Sequence, residues 1–87
     1  MYSKKYRIEK IKEFGRHNFL YDEIDNNVCY LAYLNIGERG WFLYETNDLV
    51  LPAHRVHTSI IKNIDYIDDR VIVETQNTEF TFKLINK

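Results

Sequence analysis

The sequence predicts a mainly β protein: a small, strongly bent antiparallel sheet or partly closed barrel of about five to seven strands, with room for one short helix near the N-terminus. Three observations carry this expectation. The last third of the chain alternates apolar and polar residues with period two and is rich in β-branched and aromatic types. Aromatic residues make up 15% of the chain (Tyr 7, Phe 5, Trp 1), and most fall at strand parity, as the packed interior of a small β domain requires. The length of 87 residues fits one domain, spanning 1–87. Such a domain has a radius of gyration of about 12 Å and no room for a large cleft.

Residues 4–14 read two ways. Ile8, Ile11 and Phe14 lie at helical spacing, whereas Tyr6, Ile8 and Phe14 share a strand parity. Their Lys and Glu content favours helix, and the need of a small barrel for another strand favours β. Val28–Leu34 is apolar on both parities, as in a central strand covered on both faces. Trp41–Tyr44 answers it across Gly37-Glu38-Arg39-Gly40, where glycines bracketing a polar pair permit the positive φ of a reversal. Segment 46–58 reads as a longer connection, in which Pro52 extends Leu51 and would interrupt a central strand. Residues 59–84 read as a three-stranded meander. Ile60, Ile64 and Tyr66 share one face, Val71, Val73 and Thr75 another, and Thr78, Phe80, Phe82 and Leu84 a third. Asp68-Asp69 and Gln76-Asn77 are the turns, and Asn tolerates the left-handed conformation of a tight hairpin.

The formal net charge of −1 excludes a polycation that grips DNA by bulk charge. The charge is nonetheless uneven. Residues 1–16 carry six cations (Lys4, Lys5, Arg7, Lys10, Lys12, Arg16) against Glu9 and Glu13, a net of +4 that leaves −5 on the other 71 residues. A lone Cys29 cannot form an internal disulfide, the first ten residues lack the apolar core of a signal peptide, and no apolar run approaches a membrane span. A reducing cytoplasm and no membrane are the expectation.

The densest group of polar chemistry is His54-Arg55-Val56-His57-Thr58-Ser59. If it is extended, Arg55, His57 and Ser59 share a side and could hold phosphate oxygens or a carboxylate. The competing reading is a polar strand entry with half-exposed histidines and hydroxyls bonded to local backbone. A metal site is disfavoured, because His-x-x-His on an extended chain points the rings to opposite faces and no second cysteine exists. No catalytic set is legible either. Cys29 sits in an apolar run, as a small buried hydrophobe does, and Ser59 with His57 lacks a Gly-x-Ser-x-Gly elbow. Gly15, Gly37 and Gly40 match no nucleotide-binding loop, so no cofactor is expected. Arg39 beside Trp41 pairs two residue types that anchor protein partners, against the plainer reading of Trp41 as core and Arg39 as solvated. The basic residues 4–16, with Tyr6 and Phe14, could track a single strand of nucleic acid, although those two aromatics suit a core better.

The run His57-Thr58-Ser59, then 60–67, then Val71-x-Val73-x-Thr75-x-Asn77-Thr78-x-Phe80-x-Phe82 resembles the C-terminal parts of short uncharacterised proteins from phages and mobile elements of Gram-positive bacteria. The resemblance implies context and no residue roles. Small phage proteins of this size are often binders without catalysis, including inhibitors of host defence, such as anti-CRISPRs, and sponges for nucleotide signals. The expectation is therefore a non-enzymatic binder that occludes a host protein, with Arg39, Trp41, His54, Arg55 and His57 as partner-binding residues. The alternative is a nucleotide, small-ligand or nucleic-acid binder, working as a homo-oligomer through Arg55, His57 and Ser59.

Overall fold

The computed structural model describes residues 4–15, 17–45 and 53–85. In chain order the elements are β1 (Tyr6–Glu13), α1 (Leu20–Ile24), β2 (Val28–Tyr33), β3 (Arg39–Glu45), β4 (Ala53–Ile67), β5 (Arg70–Thr75) and β6 (Thr78–Leu84). Each strand pairs antiparallel with the next, and β6 returns to β1, so six strands form one closed ring. The closure is uneven. β1 pairs with β6 along its whole length but meets β2 at Tyr6–Cys29 and Arg7–Val28 alone among the described residues. The Cα radius of gyration is 12.3 Å.

Register shifts interrupt four of the six strand pairs, and they explain where the alternation read from the sequence fails. A bulge places one extra residue on one strand, so residues three apart can face the same way. Residues 4–14 are strand from Tyr6 onward, and the shift between Ile8 and Lys10 turns both Ile8 and Ile11 toward the core. That spacing of three had imitated a helix. The shift between Ile61 and Asn63 acts likewise: Ile61 is buried and Ile64 packs on the core, while Tyr66 is 73% exposed. The expected shared face of Ile60, Ile64 and Tyr66 is therefore corrected. Phe14, expected in the core, is 47% exposed beyond the end of β1.

β4 is a single strand of 15 residues, so positions 53–58 belong to it rather than to a long connection. Positions 46–52, with Pro52, lie outside the described residues. The first half of β4 pairs with β3 and the second half with β5. One bent strand thereby serves two neighbours, which lets few residues close a barrel. β2 shows its apolar inner side at Cys29 and Leu31, whereas Tyr30 is half-buried and Tyr33 is 39% exposed on the outer side. A closed sheet has one interior, so cover on both faces is not realised.

The turns follow local chemistry. Asp68, between β4 and β5, holds φ 55°, and Asn26, after α1, holds φ 66°; both residue types tolerate this region. The Gln76-Asn77 turn uses no positive φ. Instead the buried Thr75 hydroxyl accepts from the amides of Asn77 (3.3 Å) and Thr78 (3.0 Å), donates to the Thr78 carbonyl (3.0 Å) and accepts from Ser59 Oγ (2.9 Å). A short helix near the N-terminus is present as α1, five residues long, but it lies beyond residues 4–14, the segment whose spacing had offered a helix. Its Leu20, Tyr21 and Ile24 cap the barrel, and Asn18 Oδ1 accepts the Leu20 amide at 3.0 Å. The interior is filled by Ile8, Ile24, Cys29, Val56, Ile61, Val71 and Val73 around three phenylalanines. Phe42 meets Phe80 and Phe82 edge-on at centroid distances of 5.6 and 5.3 Å, and Phe80 stacks on Phe82 at 5.7 Å.

Candidate functional site

The alternation of β3 buries Gly40, Phe42 and Tyr44 and leaves Arg39, Trp41, Leu43 and Glu45 on the outer side. On β4, Val56 and Thr58 are buried, while Arg55 and His57 are exposed. Directly opposed residues of an antiparallel pair share a face. The register sets Trp41 opposite His57 and Leu43 opposite Arg55. On the other side of β3, Tyr33 opposes Trp41 and Tyr30 opposes Leu43. Two cross-strand rows result, Tyr33–Trp41–His57 and Tyr30–Leu43–Arg55. Both lie on the outside of β2, β3 and β4.

The Arg55 guanidinium lies 4.5 Å from the Trp41 ring centroid. Such a contact contributes about 0.5–1 kcal/mol at an exposed site. A contact of this kind leaves guanidinium N–H groups available for a planar acceptor. Arg39 donates from Nε to the Thr58 carbonyl at 3.2 Å, which anchors it to β4. Two carboxylates flank the face, and both are engaged. Glu38 Oε2 accepts from Tyr33 Oη at 2.8 Å and from Asn35 Nδ2 at 3.2 Å. Glu45 Oε2 accepts from Tyr30 Oη at 2.7 Å and lies 3.9 Å from Lys5 Nζ. The Glu45 hydrogen bond holds the Tyr30 phenol above its ordinary pKa.

Thus Arg39, Trp41, Arg55 and His57, which the sequence placed in two separate regions, are neighbours on adjacent strands. Trp41 sits on the outer side rather than starting the core. His54 is elsewhere: it opposes the inward Tyr44, with ring centroids 5.7 Å apart at 73°. Ser59 also departs from the Arg55–His57 side. Thr58 and Ser59 together oppose Gly40 at the β3–β4 register shift, and the Ser59 hydroxyl donates to Thr75. Cys29 is fully buried, and burial pushes its thiol up to about 12, which leaves a negligible thiolate fraction at neutral pH. On the basic edge, Lys12 Nζ lies 5.8 Å from the Phe14 ring centroid, Arg7 donates to the Asn26 carbonyl at 2.7 Å, and Glu9 is held by Arg70 at 2.8 and 3.1 Å.

Sequence reasoning missed a second polar cluster, beside α1. His17 Nδ1 is 2.8 Å from Glu13 Oε1, and Nε2 is 2.9 Å from Asp22 Oδ2. Glu13 Oε2 also accepts the Asn18 amide at 2.8 Å. The cluster borders a shallow cavity of about 480 Å³ lined by His17, Asn18, Phe19, Tyr21, Asn77 and Thr78. The i, i+4 spacing of Glu13 and His17 was the available signal, but on a strand end followed by a loop it has no helical meaning. The two carboxylates, Asp22 first and then Glu13, hold the imidazolium, so the His17 pKa is raised. A raised folded pKa adds stability that is complete below the unfolded value of about 6.5 and is lost as pH rises through the folded pKa. The loss in melting temperature on His17→Gln is therefore expected to be larger at pH 5.5 than at pH 8.5. The imidazole titration followed by NMR should move down toward 6.5 in Asp22→Asn. Equal losses at both pH values would contradict the bridge.

Among the described residues no helix is long and apolar enough to cross a membrane, and no three potential metal ligands converge. No protein-family model matches the chain, nor does any curated protein or solved structure.

Proposed function

We propose that this chain is a non-catalytic binding protein of the bacterial cytoplasm, encoded by a phage or mobile element, that acts by covering a surface of a host protein. The observation that carries the reading is the outer face of β2–β3–β4, where Trp41 lies under Arg55 with Arg39, His57 and two tyrosines around it. Trp, Tyr and Arg are the types that supply most of the affinity in protein interfaces. The barrel interior is filled by Phe42, Phe80 and Phe82, so binding is assigned to the outside. A host-defence component, of the kind an anti-CRISPR blocks, is the partner class that fits a small occluding protein.

Affinity capture from a host lysate tests the reading, with the wild-type chain, Trp41→Ala and Lys12→Ala in parallel. The expected result is stoichiometric capture of one protein, weakened at least ~10-fold by Trp41→Ala and unchanged by Lys12→Ala. Capture indifferent to Trp41 would overturn it. A nucleotide released on denaturing the purified protein, seen as excess absorbance at 260 nm, would move the assignment to a ligand-binding homo-oligomer.

A further inference from the structure

Resting on that reading, we infer that the partner segment seated on the Trp41–Arg55 face is acidic, and that Arg55 and Arg39 receive its carboxylates. The first argument is local charge balance. Arg39 and Arg55 are exposed on this face, and among the described residues no carboxylate lies within ion-pair distance of either guanidinium. Glu38 and Glu45, the acids nearest in sequence to the β3 row, are occupied by tyrosine hydroxyls, Asn35 and Lys5. The face therefore offers positive charge that the described chain does not neutralise.

Geometry supplies the second argument. The contact with Trp41 biases the Arg55 side chain toward one position before any partner arrives. A planar fork biased toward one position suits bidentate capture of a carboxylate, and less side-chain freedom is lost on binding. Arg39 is restrained in the same way by its bond to the Thr58 carbonyl. Trp41 lies between the two cations along β3 and Leu43 lies directly opposite Arg55, so an apolar residue next to the acid would complete the fit.

A nucleic acid carries anionic charge too, but this face suits it poorly. One face of the Trp41 ring is already covered by Arg55, which competes with a stacking base. Arg39 to Leu43 covers about 13 Å of strand, a short track beside the roughly four or more nucleotides that single-strand grooves hold. Glu38 and Glu45 close the positive patch at both ends of that row. A compact cluster of carboxylates fits between them, and a continuous polyanion meets repulsion at each end.

The chain contains a single tryptophan, so Trp41 emission and its indole N–H resonance report this face alone. The probes are a capped four-residue peptide, Ser-Glu-Leu-Glu, its Gln counterpart, and a 15-nucleotide oligo-dT. The Glu peptide is expected to shift the indole resonance, with affinity that falls as NaCl is raised from 50 to 300 mM. Arg55→Gln, an exposed change, should weaken this binding at least ~10-fold, Arg55→Lys less, and Lys12→Ala on the basic edge little. The Gln peptide should give no response. Equal binding of the Gln peptide, a response that survives Arg55→Gln, or a response to oligo-dT alone would overturn the inference. If the Glu peptide fails while Trp41→Ala still abolishes capture of the host protein, acid recognition falls and occlusion stands. If capture itself ignores Trp41, the occlusion reading falls.

Discussion

Phe80→Ala is expected to remove about 3–5 kcal/mol of folding stability. Total stability scales as roughly 0.05–0.15 kcal/mol per residue, so a chain this short has about 4–13 kcal/mol to lose. Phe80 is fully buried, and its ring meets aromatic rings from three elements. It meets Phe42 of β3 edge-on and stacks on Phe82 of its own strand. It also receives the Tyr21 ring of α1 edge-on at 5.5 Å. The truncation leaves a cavity that the surrounding strands cannot collapse into, because β6 is held by β1 on one side and β5 on the other. Thermal unfolding followed by circular dichroism should show a melting temperature lower by roughly 15–30 °C, or no cooperative transition at all. Phe14→Ala, on an exposed ring, should change it by a few degrees at most. Similar effects from the two would mean that the aromatic interior is not the source of stability.

Gly40→Ala is expected to destabilise by about 1–3 kcal/mol, although adding a methyl to a strand glycine ordinarily helps. The reason is space. A Cβ at position 40 would lie 2.7 Å from the Tyr33 carbonyl oxygen and 2.7 Å from Ile61 Cδ1, with Leu34 Cδ2 at 3.1 Å. The Ile61 methyl can turn aside, but the Tyr33 carbonyl belongs to the β2–β3 pairing and cannot move alone. The Gly40 amide also donates to Thr58 Oγ1 at 2.9 Å, which fixes the β3–β4 register shift. Displacing Gly40 therefore disturbs both neighbours of β3 and the row that carries Trp41. Gly15→Ala is the control, since nothing lies within 4 Å of a Cβ there. Urea unfolding of the two variants separates the cases, and a Gly40→Ala midpoint at or above wild type would refute the close approach. Gly37, with φ 90°, is the glycine that makes the turn, so the two glycines expected to share one task have different ones.

Much of the architecture was legible from local chemistry. Alternation in 70–84 placed Val71, Val73, Phe80 and Phe82 inward, and all four are buried. Asp68-Asp69 turns where Asp tolerates a positive φ. Cys29 is the buried hydrophobe that its apolar run indicated. Alternation failed where the strands bulge, at Ile8–Ile11 and Ile61–Ile64, because a shift of register leaves no mark in composition. The candidate face was visible as residue types but not as a constellation. Arg39 and Trp41 are 14 or more positions from Arg55 and His57, and nothing in that separation sets the β3–β4 register.

The sequence alone therefore determined a mainly β chain that must curl, with Phe80 and Phe82 inside and polar turns between strands, since period-two burial and turn propensity are local properties. Phe14, Tyr33, Trp41 and Tyr66, expected with the other aromatics in the interior, lie outside. Tertiary structure decided which side chains meet. Closing the barrel forces bulges, the bulges choose the face each residue takes, and the resulting register brings the Arg55 guanidinium onto Trp41.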